Sequence, residues 1–371
     1  MFVTKRSGKK EAINFDKINA SDLIKDQLMD SLKLYVTITP KDERFSRSFG
    51  IVEPKRTFFH DKGILKKFDE LALINKKLPA PKKLSTQQKH EIINCSRVAL
   101  CLLNRETDPV TYCNEDGLLY YELEHGISIA LFSMLPERRL PLESYIGFMM
   151  FKNGYPMAYG GGWLFGKRSL LGINIFEAFR GGESAFVFAQ LLRTYKNAFG
   201  AEYFEVEPYQ FGKNNPEGLQ SGAFWFYYRF GFRPVDKQLN KLATEEYQRI
   251  QSEKGYRSPI STLKLFTKSN VCANFSNHPK PINPADISKY ISLQIAKQFK
   301  GDRVAAEKFC NTKLKKELRI NSSKKLSQFY GLCLQTEKLS VEEKQKLKKF
   351  VLEKEGKNEY EYIKLASQIK F

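Results

Sequence analysis

The chain has 371 residues, enough for two or three domains, and 42% hydrophobic content with 29 Phe supports at least one large core. It carries a formal charge of +20, and no apolar run approaches the length of a bilayer span, which excludes a helical membrane anchor. The opening Met1-Phe2-Val3-Thr4-Lys5-Arg6 is basic without the apolar stretch and cleavage site of a signal peptide, so the sequence reads as cytoplasmic. The six cysteines form no C-x-x-C pair, and the four histidines lie far apart in sequence, so reduced, mostly buried thiols and no metal site are expected.

The charge is unevenly placed. Residues 1–100 hold 21 Lys+Arg against 12 Asp+Glu, residues 271–371 hold 21 against 11, and the middle holds 19 against 18. A neutral centre between two basic flanks is the pattern of an enzyme-like domain with segments that attract a polyanion such as nucleic acid. Because the basic residues are mostly Lys mixed with acids, a lysine-rich solvated exterior accounts for the same pattern.

Taken in chain order, residues 1–94 read as a basic, irregular or helical region interrupted by Pro40, Pro54, Pro79 and Pro81. Val3 to Lys10, followed by Phe15-Asp16-Lys17-Ile18, resembles the start of the ATP-cone of ribonucleotide reductases over fewer than about twenty residues and then the likeness stops; a surface hairpin with a Ser-Gly turn is the reading adopted. A helix is expected over Ser21 to Leu34. Residues 95–268 read as an α/β domain. Strands are predicted over Ile127–Phe132, Ser144–Phe151, Pro156–Phe165 and Leu170–Phe176, with an Asn153-Gly154 turn between the second and third. Gly160-Gly161-Gly162 implies a bulge, or close approach by a ligand or another backbone. The period then changes to 3.6 over Ala185–Phe199, where Phe188, Leu192, Tyr195 and Phe199 share a face before the Gly200 stop. A strand over Tyr203–Glu207 and a short aromatic helix over Ala223–Phe230 follow. Residues 269–284 read as a Pro-rich linker, and residues 285–371 as a basic helical module with a capping box at Ser340 to Glu343.

The most chemical stretch is Arg180-Gly181-Gly182-Glu183-Ser184-Ala185, set between a strand and a helix. Such a turn gathers backbone N–H groups at a helix N-terminus, where phosphate oxygens bind. A tight turn capped by Ser184 is the plainer alternative. With Ala223-Phe224-Trp225-Phe226-Tyr227-Tyr228-Arg229-Phe230-Gly231-Phe232 downstream, residues 125–268 resemble the GNAT acyltransferase superfamily. That resemblance implies a mixed β-sheet flanked by helices, with an acetyl-CoA or other acyl-CoA diphosphate on the loop Arg180, Gly181, Gly182, Glu183, Ser184 and Ala185. It implies Tyr227 as the acid that protonates the leaving thiolate, with the family's preceding Asn at Asn214 or Asn215. Glu183 stands where the family has a glycine, and a carboxylate beside a diphosphate is electrostatically unfavourable.

Transfer to an amine also needs a base. Glu177 at a strand end and Glu207 in the next strand are the candidates, with Glu205 on the same face as Glu207. His125 stands alone in sequence and reads as structural. Three functions stay open: an acyl-CoA-dependent N-acyltransferase acting on an amine, a non-enzymatic GNAT-fold scaffold that grips nucleic acid or a protein through basic flanks, and an aminoacyl-tRNA-dependent transferase.

Overall fold

The computed structural model describes residues 2–4, 10–12, 17, 19–21, 24, 25, 28, 50–61, 63, 67–321, 325–334, 339–356 and 359–369. Contacts group the chain into Met1–Glu43 and Arg44–Phe371. In the first unit β1 (Phe2–Thr4) pairs antiparallel with β2 (Lys10–Ala12), the expected hairpin; its turn, and most of the helix expected over Ser21 to Leu34, lie outside the described residues.

The second unit is built on an eight-stranded mixed sheet. Its strands are β3 (Leu119–Glu122), β4 (Ile127–Ser133), β5 (Ser144–Lys152), β6 (Tyr155–Phe165), β7 (Arg168–Ile175), β8 (Tyr203–Val206), β9 (Arg233–Pro234) and β10 (Val271–Asn274), in the order β3-β4-β5-β6-β7-β8-β10-β9. Strands β3 to β7 form an antiparallel meander. Asn153 (φ 49°) and Gly154 (φ 83°) make the left-handed turn that joins β5 to β6. Among the described residues the helices are α1 (Glu70–Asn75), α2 (Thr86–Leu102), α3 (Asp108–Thr111), α4 (Ser184–Phe199), α5 (Pro216–Gln220), α6 (Ala223–Arg229), α7 (Lys237–Ser252), α8 (Ile260–Phe266), α9 (Pro284–Phe299), α10 (Arg303–Leu318), α11 (Ser327–Cys333), α12 (Val341–Lys354) and α13 (Tyr360–Ala366). None is long and apolar enough to cross a membrane.

Both sheet faces are covered, as strand alternation requires. Ile129, Leu131, Phe148 and Met150 join one core with α4, whereas Ala130, Phe132, Met149 and Phe151 join a second core with α2. The strand register runs unbroken through Gly160, Gly161 and Gly162, and the irregularity lies away from them, between Met150 and Phe151, which face Ala158 and Pro156. The glycines instead answer to close approach: a Cβ at Gly160 would overlap the Gly172 carbonyl, and one at Gly161 the Tyr145 hydroxyl. The thiols are unpaired, and burial pushes Cys95 and Cys333 up to about 12, so both stay protonated.

The stretch read as a linker departs from expectation. Val271–Asn274 is a strand inside the sheet, antiparallel to both β8 and β9, and its four residues were masked by the proline cluster that follows. The helices after Pro284 share the main core, with Tyr330, Phe350 and Tyr362 fully buried in it. Lys354 is enclosed, donating to Glu143 O at 3.0 Å and pairing with Glu359 at 2.5 Å, while Ser144 Oγ donates to the same carboxylate at 2.8 Å. Arg139 donates to Gly356 O at 2.6 Å, and Tyr362 to Leu142 O at 2.6 Å.

Candidate functional site

The sheet opens where β7 meets β8. The two are parallel, joined through α4, and their register is Arg168↔Tyr203, Ser169↔Phe204 and Leu170↔Glu205, then it stops. Beyond Leu170 the strands part, and the Gln210 side chain enters the gap. Gln210 Oε1 accepts from Ile173 N–H at 3.2 Å and from the Tyr227 hydroxyl at 3.3 Å. Gly172 leaves room for this amide: a Cβ there would stand 3.2 Å from Gln210 Nε2.

Two adjoining clefts meet at Ile173, Asn174, Tyr209 and Gln210. The larger, about 880 Å³, is walled by Arg180, Ser184, Asn215, Glu217 and Tyr227. The second, about 640 Å³, runs under Tyr145, Tyr159 and Trp163, with Glu106, Asp108 and Glu207 also on its wall. Tyr145 packs on Trp163 with ring centres 4.5 Å apart, and Tyr159 accepts from Asn174 Nδ2 at 3.2 Å.

Tyr227 projects from α6 into a ring of phenylalanines, with Phe188 and Phe226 each 5.4 Å away. Burial pushes its hydroxyl well above the ordinary phenol range, so it keeps its proton and acts as a donor. Arg180 donates from Nε to Ile175 O at 2.9 Å and pairs with Glu217 on the facing lip. Both side chains are largely exposed, so this pair contributes little to stability. Gly181 has φ 100°, which a side chain would strain.

Glu183 turns to other partners. It is the residue preceding α4, its side chain caps nothing, and its carboxylate meets Lys152 Nζ at 2.9 Å and His60 Nε2 at 2.8 Å. Although desolvation raises its pKa, the Lys152 and His60 hydrogen bonds outweigh that and hold it below the ordinary carboxylate value. Ser184, expected to cap the turn, is instead the first residue of α4.

The structure thus gathers Arg180, Ser184 and Tyr227 around one cleft and puts Glu207 on the wall of the next. Gly181, Gly182, Glu183 and Ala185 are not on the larger cleft's wall. Glu177 is exposed in a short 3-10 turn and lines neither cleft. Glu205 is occupied, pairing with Arg168 at 3.1 Å and accepting from Asn270 at 2.7 Å. Asn215 caps α5, accepting from Gly218 N–H at 3.1 Å. Gln210 and His60 had no signal in the sequence: one is a polar residue in a polar loop, the other a histidine in a proline-interrupted stretch. Comparison with family models, curated proteins and solved structures finds no match for this chain.

Proposed function

We propose that the chain is a divergent GNAT-type acyltransferase that moves an acyl group from acyl-CoA to an amine. The observation that carries the reading is the parting of β7 and β8 after Leu170, which leaves the β7 edge at Ile173 held by a side chain instead of a strand. An extended ligand arm with amide groups hydrogen-bonds to such an edge as an added strand would. Displacing the single Gln210 amide frees the Ile173 N–H for it. At one end of the same cleft stand Arg180 and Ser184 at the start of α4, where positive potential favours a diphosphate.

In the reaction the amine nitrogen bonds to the thioester carbonyl carbon and the carbon–sulfur bond breaks. The amine proton passes to a base, for which Glu207 in the adjoining cleft is the candidate. The departing thiolate takes the proton of Tyr227, which burial has kept on the phenol. Addition of acetyl- or longer acyl-CoA should raise the melting temperature, since only the folded chain binds it. Arg180→Ala should reduce that rise by removing a phosphate contact, and Gln210→Ala should preserve or enlarge it by clearing the strand edge. A flat melting curve for every acyl length would defeat the reading. It would favour a scaffold whose polar groups satisfy one another, as Arg180 does with Glu217 and Tyr227 with Gln210.

A further inference from the structure

Outside the two clefts, the cluster with the most chemistry lies behind the α4 N-terminus. His60, His125 and Glu183 each present one donor atom, and the three atoms lie within 4.8 Å of one another. They come from three separate elements, each held in place. Asn153 in the β5–β6 turn accepts from Phe58 N–H and donates to Phe58 O, both at 2.9 Å, and so fixes the segment that carries His60. His125 sits in the left-handed region, φ 59°, just before β4. Its ring is sandwiched between Phe58 and Phe186, at 4.8 and 4.7 Å. Glu183 is fixed by Lys152, whose Nζ lies 2.9 Å from Oε2 and 3.1 Å from Oε1, while Oε1 also faces His60 at 2.8 Å.

We infer that His60, His125 and Glu183 form a binding site for a divalent transition-metal ion such as Zn²⁺, with a fourth position left for water or a ligand. Two imidazoles and one carboxylate suit zinc, and three protein ligands with an open position is the arrangement of reactive zinc centres. A nitrogen-rich set of this kind selects against Mg²⁺ and Ca²⁺, which take oxygen donors. The Nδ1 atom of His125 is buried without a hydrogen-bond partner, an unmet lone pair or proton that a ligating ring would have reason to retain. Lys152 plays the part of an outer partner that orients the carboxylate. The site depends on neither cleft and would stand if no acyl-CoA bound.

The test is titration of the full chain, stripped with chelator, by Co²⁺ in the visible and by Zn²⁺ in a calorimeter. One equivalent should bring up the d–d bands of a low-coordinate Co²⁺ without a thiolate charge-transfer band. His60→Gln, His125→Asn and Glu183→Gln should each weaken binding by about tenfold or more. Asparagine is chosen at 125 because it tolerates positive φ. Zinc should raise the melting temperature of the native chain and not of these variants, which lie on three elements so that one folding failure leaves two informative. Absence of the bands and of heat in the native chain would overturn the inference. So would a thiolate band, which places the metal on cysteines, or unchanged affinity in the folded variants.

Discussion

Tyr227 shows how far one side chain can be read from its surroundings. Its hydroxyl is one ring deep in aromatic contact and bonds only Gln210 among the described residues, so removing the oxygen leaves the packing of Phe188 and Phe226 in place. Tyr227→Phe should therefore fold and hold acyl-CoA as before while slowing any transfer by about 10²-fold or more, measured as thiol release. Glu124 offers a test by pH. Desolvation raises its pKa, but hydrogen bonds from Lys76 and Gln190 prevail and hold it at about 2 against the ordinary 4.5. The folded state thus binds the proton less readily than the unfolded chain, and the stability from this group is full above 4.5 and lost as pH falls toward 2. Glu124→Gln should flatten that part of the acid dependence, measured by urea unfolding at neutral pH and at a pH between those values. At this scale the sequence grouped Arg180, Ser184 and Tyr227 through the order of loop and aromatic helix, and in the structure all three line one cleft. Glu183 was legible only as an oddity, since its partners His60 and Lys152 are distant in sequence and nothing local names them.

Elements with a strong period were the readable ones. Strands β4 to β7 and α4 follow from alternation and from the 3.6-residue spacing of Phe188, Leu192, Tyr195 and Phe199, and they formed within a residue or two of the expected ends, whereas β3 was not foreseen. Strands β9 and β10, with two and four residues, are too short to carry a period and exist because β8 offers β10 an edge and β10 in turn offers one to β9. The glycines separate two kinds of signal. Gly331 on α11 lies against α10, where a Cβ would come within 2.5 Å of Cys310 Sγ and 2.9 Å of Cys310 Cα. Gly331→Ala should therefore push the two helices apart and cost about 1–3 kcal/mol, measured by denaturant midpoint. Gly181→Ala meets no atom and strains only its own φ of 100°. It should cost less than Gly331→Ala, about 1 kcal/mol, while altering the loop at the cleft mouth.

At the scale of the molecule, the mixed α/β character was legible because helical and strand periods alternate through the centre. The participation of the last helices in the core was not, because prolines 279 to 284 look like a boundary whether or not a strand precedes them. The buried charge pair decides how firmly the C-terminal helices are attached. Lys354→Met leaves Glu359 and the Ser144 hydroxyl without their cation and should cost about 3–5 kcal/mol, much of it recovered when Glu359→Gln is added. The basic flanks predict a second property, weak binding of short RNA or DNA that falls steeply with salt. Fluorescence anisotropy that is flat at low salt would remove it.

The seating of Lys354 and Glu359 against Glu143 and Ser144 also fixes an order of events during synthesis. More than two hundred residues separate these partners, so the β5 end of the sheet waits for residues 354 to 359 to leave the ribosome before its neighbours arrive. Nascent chains arrested before residue 354 should expose Leu142 and Ile146 to chaperones, and chains released past residue 359 should bury them.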